Sequence, residues 1–523
     1  MSTTSAFEVL GPIMIGPSSS HTAGALRIAM LAKSLVKSPI KRVEFTLYNS
    51  FARTHKGHGT DRALLGGILG FEAHDPRIKT SFEEADKAGL DYEFIISEKG
   101  EGIHPNSVDI CMYTESGRQT SVRGESLGGG RIAISKINGV DVVLTGDYNT
   151  IFAVHQDTCG VLSHTTQCLA EHQINIAFMR TFRSEKSGLA YTIFETDEEP
   201  NEEVIGAIEH CEHVKSAMLI KIPGNTAAPG LSISSDFISG AELLELCAKE
   251  HKSIGQLMYE REVQLSGKQE AQEGMKRVLE VMKDEVKSPL EHAQISLGGL
   301  IGGEAQSIYQ AASQHKDLFG ETRSKASAYA MAVLERSASM GVIVAAPTAG
   351  ASGVVPGVLL SAAECLGSSD EELINALYTA SAVGYLIMRN ATVAGAEGGC
   401  QAEVGSASAM AAAALAELMG AEPKVALYAA CIALSNMLGL VCDPIGGLVE
   451  APCQMRNAGG ASQAYTAVNL ALSGVVSLVP FDEVIETMFR VGKQLPSSLR
   501  ETAEGGLAIT PSACELCARC GVL

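Results

Sequence analysis

Positive charge is scarce in this chain: 40 Lys and Arg stand against 60 Asp and Glu, a formal net charge of −20 over 523 residues. No Lys/Arg-rich block offsets the deficit, which argues against nucleic acid or an anionic membrane surface as a partner. The N-terminal stretch MSTTSAFEVLGPIMIGPSSSHTAG lacks the basic segment and unbroken apolar run of a secretory signal. The Ala-rich stretch from Ala407 to Ala416 is shorter than the ~20 apolar residues a membrane span needs, and Glu417 closes it. A disulfide framework is also missing, because the 13 cysteines are odd in number and scattered, as in a reducing compartment. These absences predict a cytoplasmic protein. Its 46% hydrophobic content is ample for large cores, and its length fits about three domains of ~150 residues.

Three units can be read along the chain. Residues 1–146 mix strand-like runs, such as RVEFTLY from Arg42 to Tyr48 and the VDVVL that ends at Leu144, with short helices. That pattern predicts an α/β domain. Within it DRALLGGILG, Asp61 to Gly70, predicts a helix behind an Asp or Thr cap. Residues 147–223 read as strand (Thr150–His155), helix (Val161–His172), strands Ile174–Arg183 and Leu189–Thr196 around the turn SEKSG, helix (Asn201–His210) and strand (Val214–Ile222). The order βαββαβ is a ferredoxin-like fold. Residues 224–231 form a Pro/Gly/Ala linker. Residues 232–523 are almost wholly helical in pattern, broken by SLGGLIGG, APTAGASGVVPG, AGAEGGC and DPIGGLVEAPC. They predict an all-α catalytic domain whose loops and helix starts converge on one site.

Three cysteines of that last unit sit in Gly-rich apolar settings: Cys400 in GAEGGCQAEVG, Cys442 in GLVCDPIGG and Cys453 in EAPCQMRNAGG. Small neighbours let a bulky group approach the backbone, and three thiolates without a fourth leave one metal position open. Their spacings match no zinc ribbon, whose cysteines come in CxxC pairs. An open-sided iron–sulfur cluster with a Lewis-acidic iron is one reading. Buried cysteines acting as small apolar residues are the other, and spacing leaves both open.

The first unit carries four polar motifs. IGPSSSHTAG holds Ser18, Ser19, Ser20, His21 and Thr22 at the start of an apolar helix, a setting that binds carboxylate or phosphate. HKGHGTD holds His58, Thr60 and Asp61, HPNS holds His104 and Asn106, and SLGGG runs from Ser126 to Gly130. Each is weak alone, but four in one domain point to a polar cleft.

IGPSSSHTAG, GHGTD, HPNS and SLGGG resemble the β domain of bacterial iron–sulfur-dependent L-serine dehydratases. APTAGASGVVPG, AGAEGGCQAEVG and CDPIGGLVEAPCQMRNA resemble their α domain, and DTCG followed by INI resembles an ACT domain between the two. The resemblance spans essentially the whole chain. It implies a lyase of amino-acid degradation and gluconeogenesis, which converts L-serine through 2-aminoacrylate to pyruvate and ammonia. It also implies an oxygen-sensitive [4Fe-4S] cluster on Cys400, Cys442 and Cys453, no pyridoxal phosphate, and a homodimer. Because imidazole titrates near working pH and its loop is Gly-flanked, His58 is the expected α-proton base with Asp61 orienting it, and His21 and His104 are its rivals. Ser18, Ser19, Ser20, Thr22 and Thr60 would hold the substrate carboxylate, with Asn106 as polar support. Gly160 and Asn175 would mark the regulatory ACT ligand site, with L-serine as its candidate ligand. The tail SACELCARCGVL departs from the family in offering Cys514, Cys517 and Cys520, of which Cys514 best fits a fourth cluster ligand. The alternatives are a related cluster-dependent lyase, such as a cysteine desulfidase, and a non-catalytic serine or redox sensor.

Overall fold

A computed structural model describes every residue except 1–3, 98–99, 129, 146–148, 184, 221–232, 234, 315–319 and 521–523, and omits the side chains of 519 and 520. The first domain is built on a six-stranded sheet. Its strand order is Asp91–Ile96, Ile40–Leu47, Ser107–Thr114, Gln119–Gly128, Arg131–Ile137 and Val140–Leu144. Only the first pair is parallel; the remaining ladders are antiparallel. Alternation sets the layers: Val43, Phe45 and Leu47 are fully buried on one face while their neighbours are half-exposed. Helices Ala25–Ser34 and Thr60–Leu69 share that core with the strands. They touch at Gly67, where an added Cβ would stand 2.6 Å from the Ala29 Cβ. The second helix does not open behind an Asp or Thr cap as its sequence suggested. Gly59, at φ 63°, occupies the cap position with no side-chain hydrogen bond, so the left-handed turn of GHGTD starts the helix.

The middle domain has the strand order Val214–Ile220, Asn149–Gln156, Leu189–Thr196, Ile176–Arg183, antiparallel throughout. That is the ferredoxin-like order. Helices Val161–Glu171 and Glu202–Glu209 cover one sheet face, with Ile151, Ala153, Phe194 and Ala217 buried beneath them. The alternate residues Phe152, Val154, Tyr191, Ile193, Met218 and Ile220 join the core of the first domain. Both faces of this sheet are therefore occupied.

From Gly240 onward the chain is a helical bundle. At its centre Ser406–Leu418 is buried on nearly every side, packed by Asp370–Asn390, Pro423–Ser435 and Cys453–Leu472. Its run of alanines permits this, because small side chains let neighbouring helices approach all round the axis. Among the described residues one stretch, Ala349–Leu366, is long and apolar enough to cross a membrane by composition, and most of it is buried in this bundle.

The N-terminus belongs in packing to the helical bundle rather than to the 1–146 unit. Ala6, Val9 and Leu10 lie in the bundle core, and Glu262 accepts hydrogen bonds from Ser5 Oγ (2.9 Å) and the Ala6 amide (2.7 Å). Strand Ile13–Ile15 then pairs antiparallel with Val342–Val344. The motif that follows, Ser18–Gly24, is thereby delivered to the seam between the two domains.

Candidate active site

A cavity of about 280 Å³ opens at that seam. One wall comes from the first domain: Ser18, Ser19 and Ser20, His104 and Asn106, and Ser126. The other comes from the bundle: Thr348, Gly350, Cys400, Glu403, Cys442, Cys453 and Glu501. Three of the four polar motifs and three separated cysteines thus face one volume, while HKGHGTD packs behind it and lends it no lining residue.

Matching local geometry builds both walls. Ser18 accepts a hydrogen bond from the His21 amide at 3.0 Å and starts a π-helical turn, Ser19–Gly24, that runs into helix Ala25–Ser34. Cys400 precedes a second π-helical turn, Gln401–Gly405, that runs into Ser406–Leu418. Such turns widen a helix and recur at functional sites. Cys453 is the first residue of helix Cys453–Leu472, whose N-terminal dipole favours negative charge. Cys442 is fixed by backbone bonds on both sides: its amide donates to Leu499 O and its carbonyl accepts from Glu501 N, each at 2.9 Å. That pairing brings Glu501 to the wall.

The bundle wall concentrates acidic and thiol groups. Cys400, Cys442 and Cys453 are all buried. The neighbouring Cys400 thiol, together with burial, holds the Cys442 thiol well above its usual range, and burial does the same for Cys453. Arg456 stands behind them. It donates to Asp443 Oδ1 (2.7 Å) and Val441 O (2.8 Å), and the cysteines' negative charge favours its protonated form. Glu403 accepts from Thr348 Oγ1 at 2.9 Å, and burial pushes its carboxyl up to about 7. Burial, then the Glu403 charge, pushes Glu501 up to about 8. Both carboxyls overhang Gly395, where an added Cβ would meet Glu403 Oε2 at 2.5 Å and Glu501 Oε2 at 3.3 Å.

The opposite wall is neutral and rich in hydroxyls. His21 lies just behind it, fully buried, with Nδ1 2.9 Å from Ser20 Oγ and Nε2 2.9 Å from Ser50 Oγ. His58 lies deeper still, edge-on to His21, and Thr22 Oγ1 donates to its carbonyl at 2.6 Å. Burial lowers both imidazoles, His58 to about 4, with Gly447 backbone contact offsetting only part of the effect. Both rings are therefore neutral at pH 7. His104, which accepts from the Asn106 amide at 3.2 Å, is the histidine that borders the cavity directly. Four buried polar atoms of these motifs have no hydrogen-bond partner: His58 Nδ1 and Nε2, Thr60 Oγ1 and Asn106 Oδ1.

Two sequence expectations are placed elsewhere. Among the described residues no hydrogen bond joins Asp61 to His58; Asp61 Oδ1 accepts from the Arg62 amide at 2.8 Å. Cys514 is exposed on helix Pro511–Cys520 and borders a second cavity with Arg53, His55, Glu504 and the buried Cys517. The Pro444–Gly447 turn separates that cavity from the three-cysteine wall. Gly160 (φ 96°) and Asn175 lie exposed on the middle domain, where Asn175 Nδ2 donates to Asp197 Oδ2 at 2.6 Å. Sequence reading did not single out Glu501, Thr348 or Ser50. Glu501 carries only the local signal of a non-glycine residue at φ 62°, which no pattern of residue types announces.

The model for the serine dehydratase alpha chain matches residues 240–508, over half of the sequence. The chain belongs to the serine dehydratase family. The family's beta-chain model matches residues 5–99, and an ACT domain model matches 149–212. Among its relatives, an L-serine dehydratase of Streptomyces coelicolor is 32% identical over 96% of this chain and 98% of its own length. A probable L-serine dehydratase alpha chain of Bacillus subtilis is 45% identical over 53% of this chain and 92% of its own. An L-serine dehydratase beta chain of Peptoniphilus asaccharolyticus is 45% identical over 42% of this chain and its entire own length. In this family member the seam cavity lies between the region matched by the alpha-chain model and that of the beta-chain relative.

Proposed function

We propose that the chain acts as an L-serine ammonia-lyase whose dehydration is assisted by a [4Fe-4S] cluster on Cys400, Cys442 and Cys453, without pyridoxal phosphate. The observation that carries the reading is three buried thiols on one wall of a cavity whose other wall is the serine–histidine motif. Three thiols on one cavity wall are the donor type such a cluster takes. Among the described residues no three His, Cys, Asp or Glu side chains converge on a single ion. When bound, the cluster supplies a Lewis-acidic iron for the departing hydroxide.

The chain's own residues do the rest. Ser18, Ser19, Ser20 and Asn106 present hydroxyl and amide groups to the serine carboxylate, with Thr22 and Thr60 behind them. Arg456 offsets the thiolate charge from below. His58 receives the α-proton: it is neutral at working pH, and its ring makes no hydrogen bond to another side chain, with the Gly447 backbone beside it. Loss of that proton and of the β-hydroxyl as water gives 2-aminoacrylate, which tautomerises and takes up water to yield pyruvate and ammonia. Cys514 would reach the cluster only if the tail helix left its cavity.

The setting of this activity is cytoplasmic amino-acid degradation feeding gluconeogenesis, and an iron without a protein thiolate makes it oxygen-sensitive. Val476 and Leu478, 51% and 91% exposed, support a homodimer by leaving apolar surface to cover. L-serine at the Gly160 and Asn175 end of the middle domain is the regulatory ligand of this reading. The test is anaerobic reconstitution with iron and sulfide, followed by pyruvate release from L-serine. A fully loaded cluster without pyruvate overturns the lyase, and pyruvate from an iron-free chain overturns the cluster.

A further inference from the structure

A second cavity, of about 400 Å³, lies between the middle-domain sheet and the first domain, away from the three cysteines. Its floor is apolar: Leu35, Phe152, Val154, Leu189 and Met218. Its polar groups are Arg118, Lys215, Ser216, Thr120, Asn138 and Tyr191, and no acidic side chain lines it. In a chain of net charge −20, Arg118 and Lys215 stand here without an ion pair among the described residues.

The backbone is shaped toward this cavity. Consecutive strand residues point to opposite faces, yet Lys215 and Ser216 both line it. A register shift between Val214 and Ser216 explains this: Val214 pairs with His155 and Ser216 with Val154, so Lys215 is the extra residue of a bulge. Bulges re-aim side chains and cluster beside functional sites. The Ser216 hydroxyl is buried and has no hydrogen-bond partner. Across from it Asn138, at φ 50° in a tight turn, donates from Nδ2 to the Tyr191 hydroxyl at 3.4 Å, which ties the two domains together at the cavity edge.

We propose that this cavity binds a small aliphatic carboxylate lacking an ammonium group, and that the ligand clamps the middle-domain sheet to the first domain. Arg118, Lys215 and the Ser216 hydroxyl hold the carboxylate, and Phe152, Val154 and Met218 hold the aliphatic body. An amino acid is disfavoured because its ammonium would meet two cations and no carboxylate. The site is separate from the Gly160 loop, which contributes no residue to it. The inference stands whether or not the lyase reading holds, since it is read by binding.

The test is titration calorimetry on the full chain with 3-methyl-2-oxobutanoate. One saturable site per chain, with submillimolar to millimolar affinity, is expected. Arg118→Glu and Lys215→Glu, both on exposed residues, each weaken it at least tenfold with circular dichroism unchanged. L-valine, which has the same body plus an ammonium, binds at least tenfold more weakly. No saturable heat, equal binding of L-valine, or indifference to both charge reversals each overturns the proposal.

Discussion

The His58 ring stands edge-on to that of His21, with centroids 4.4 Å apart and planes at 81°. His21 spends both nitrogens on serine hydroxyls, whereas His58 bonds no side chain and has only the Gly447 backbone beside it. The pair divides labour: one ring is fixed, and the other keeps its hydrogen-bonding capacity. His58→Ala is therefore expected to lose turnover by ~10²–10⁴-fold while keeping iron and sulfide content. Normal turnover in His58→Ala, with a dead His104→Ala, would move the base to His104.

The same burial makes His58 a pH liability for the fold. Its folded value of about 4 lies below the unfolded value of 6.5. Above pH 6.5 neither state binds the proton and the residue has no effect. As pH falls from 6.5 toward 4 the unfolded state gains a proton that the folded state refuses, so stability drops, by on the order of 3 kcal/mol at most. Thermal midpoints measured across that window should fall less steeply for His58→Gln than for the unaltered chain. Parallel curves would remove His58 from the account.

Cys400→Ser, Cys442→Ser and Cys453→Ser are each expected to lose the brown chromophore and all lyase activity. Cys247→Ser should keep both, because Cys247 is a buried small residue in the bundle core, remote from the cavity wall. Exposed Cys365 should tolerate serine equally. Cys514→Ala should retain iron and sulfide, since the Pro444–Gly447 turn stands between that thiol and the three-cysteine wall. Loss of iron in Cys514→Ala, counted after anaerobic desalting, would show that the tail enters the site.

Two glycines should fail in different ways. In Gly395→Ala the new methyl meets the Glu403 and Glu501 carboxylates, flexible ends that can swing aside. The expected result is at least a tenfold loss of kcat with a nearly unchanged Tm. In Gly353→Ala the methyl is driven into the Ala330 backbone, with its carbonyl carbon 2.9 Å away, and the chain cannot yield cheaply. Overpacking of this kind costs about 1–3 kcal/mol, so Tm should drop. Equal Tm values would contradict the contrast.

Much of this was legible in the residues because it is local. Two of the middle domain's strands are near-continuous apolar runs buried on both faces, and its two helices repeat at helical spacing, so each element followed from neighbours in sequence. The serines of IGPSSSHTAG announced a polar wall by composition, and they line the seam cavity. What escaped depends on distant partners. Ile13–Ile15 becomes a strand only because Val342–Val344 lies beside it, and three residues carry no periodicity. Glu501 reaches the cavity through backbone pairing to Cys442, which no spacing rule encodes. The Asp or Thr cap at the GHGTD helix was outcompeted by a glycine that can adopt the left-handed turn.

The short ladder between Ile13–Ile15 and Val342–Val344 bears on how such enzymes can come in pieces. It threads the leading end of one half through the body of the other, so the two halves grip each other by main-chain bonds and by Ala6, Val9 and Leu10 seated in the bundle. Peptide continuity between them raises local concentration but adds no contact. Separate alpha and beta polypeptides, as the Peptoniphilus asaccharolyticus relatives are named, would need a handshake of this kind to build the same seam. Gene fusion and gene fission would then be nearly neutral events for the site, provided the first fifteen residues travel with the beta part.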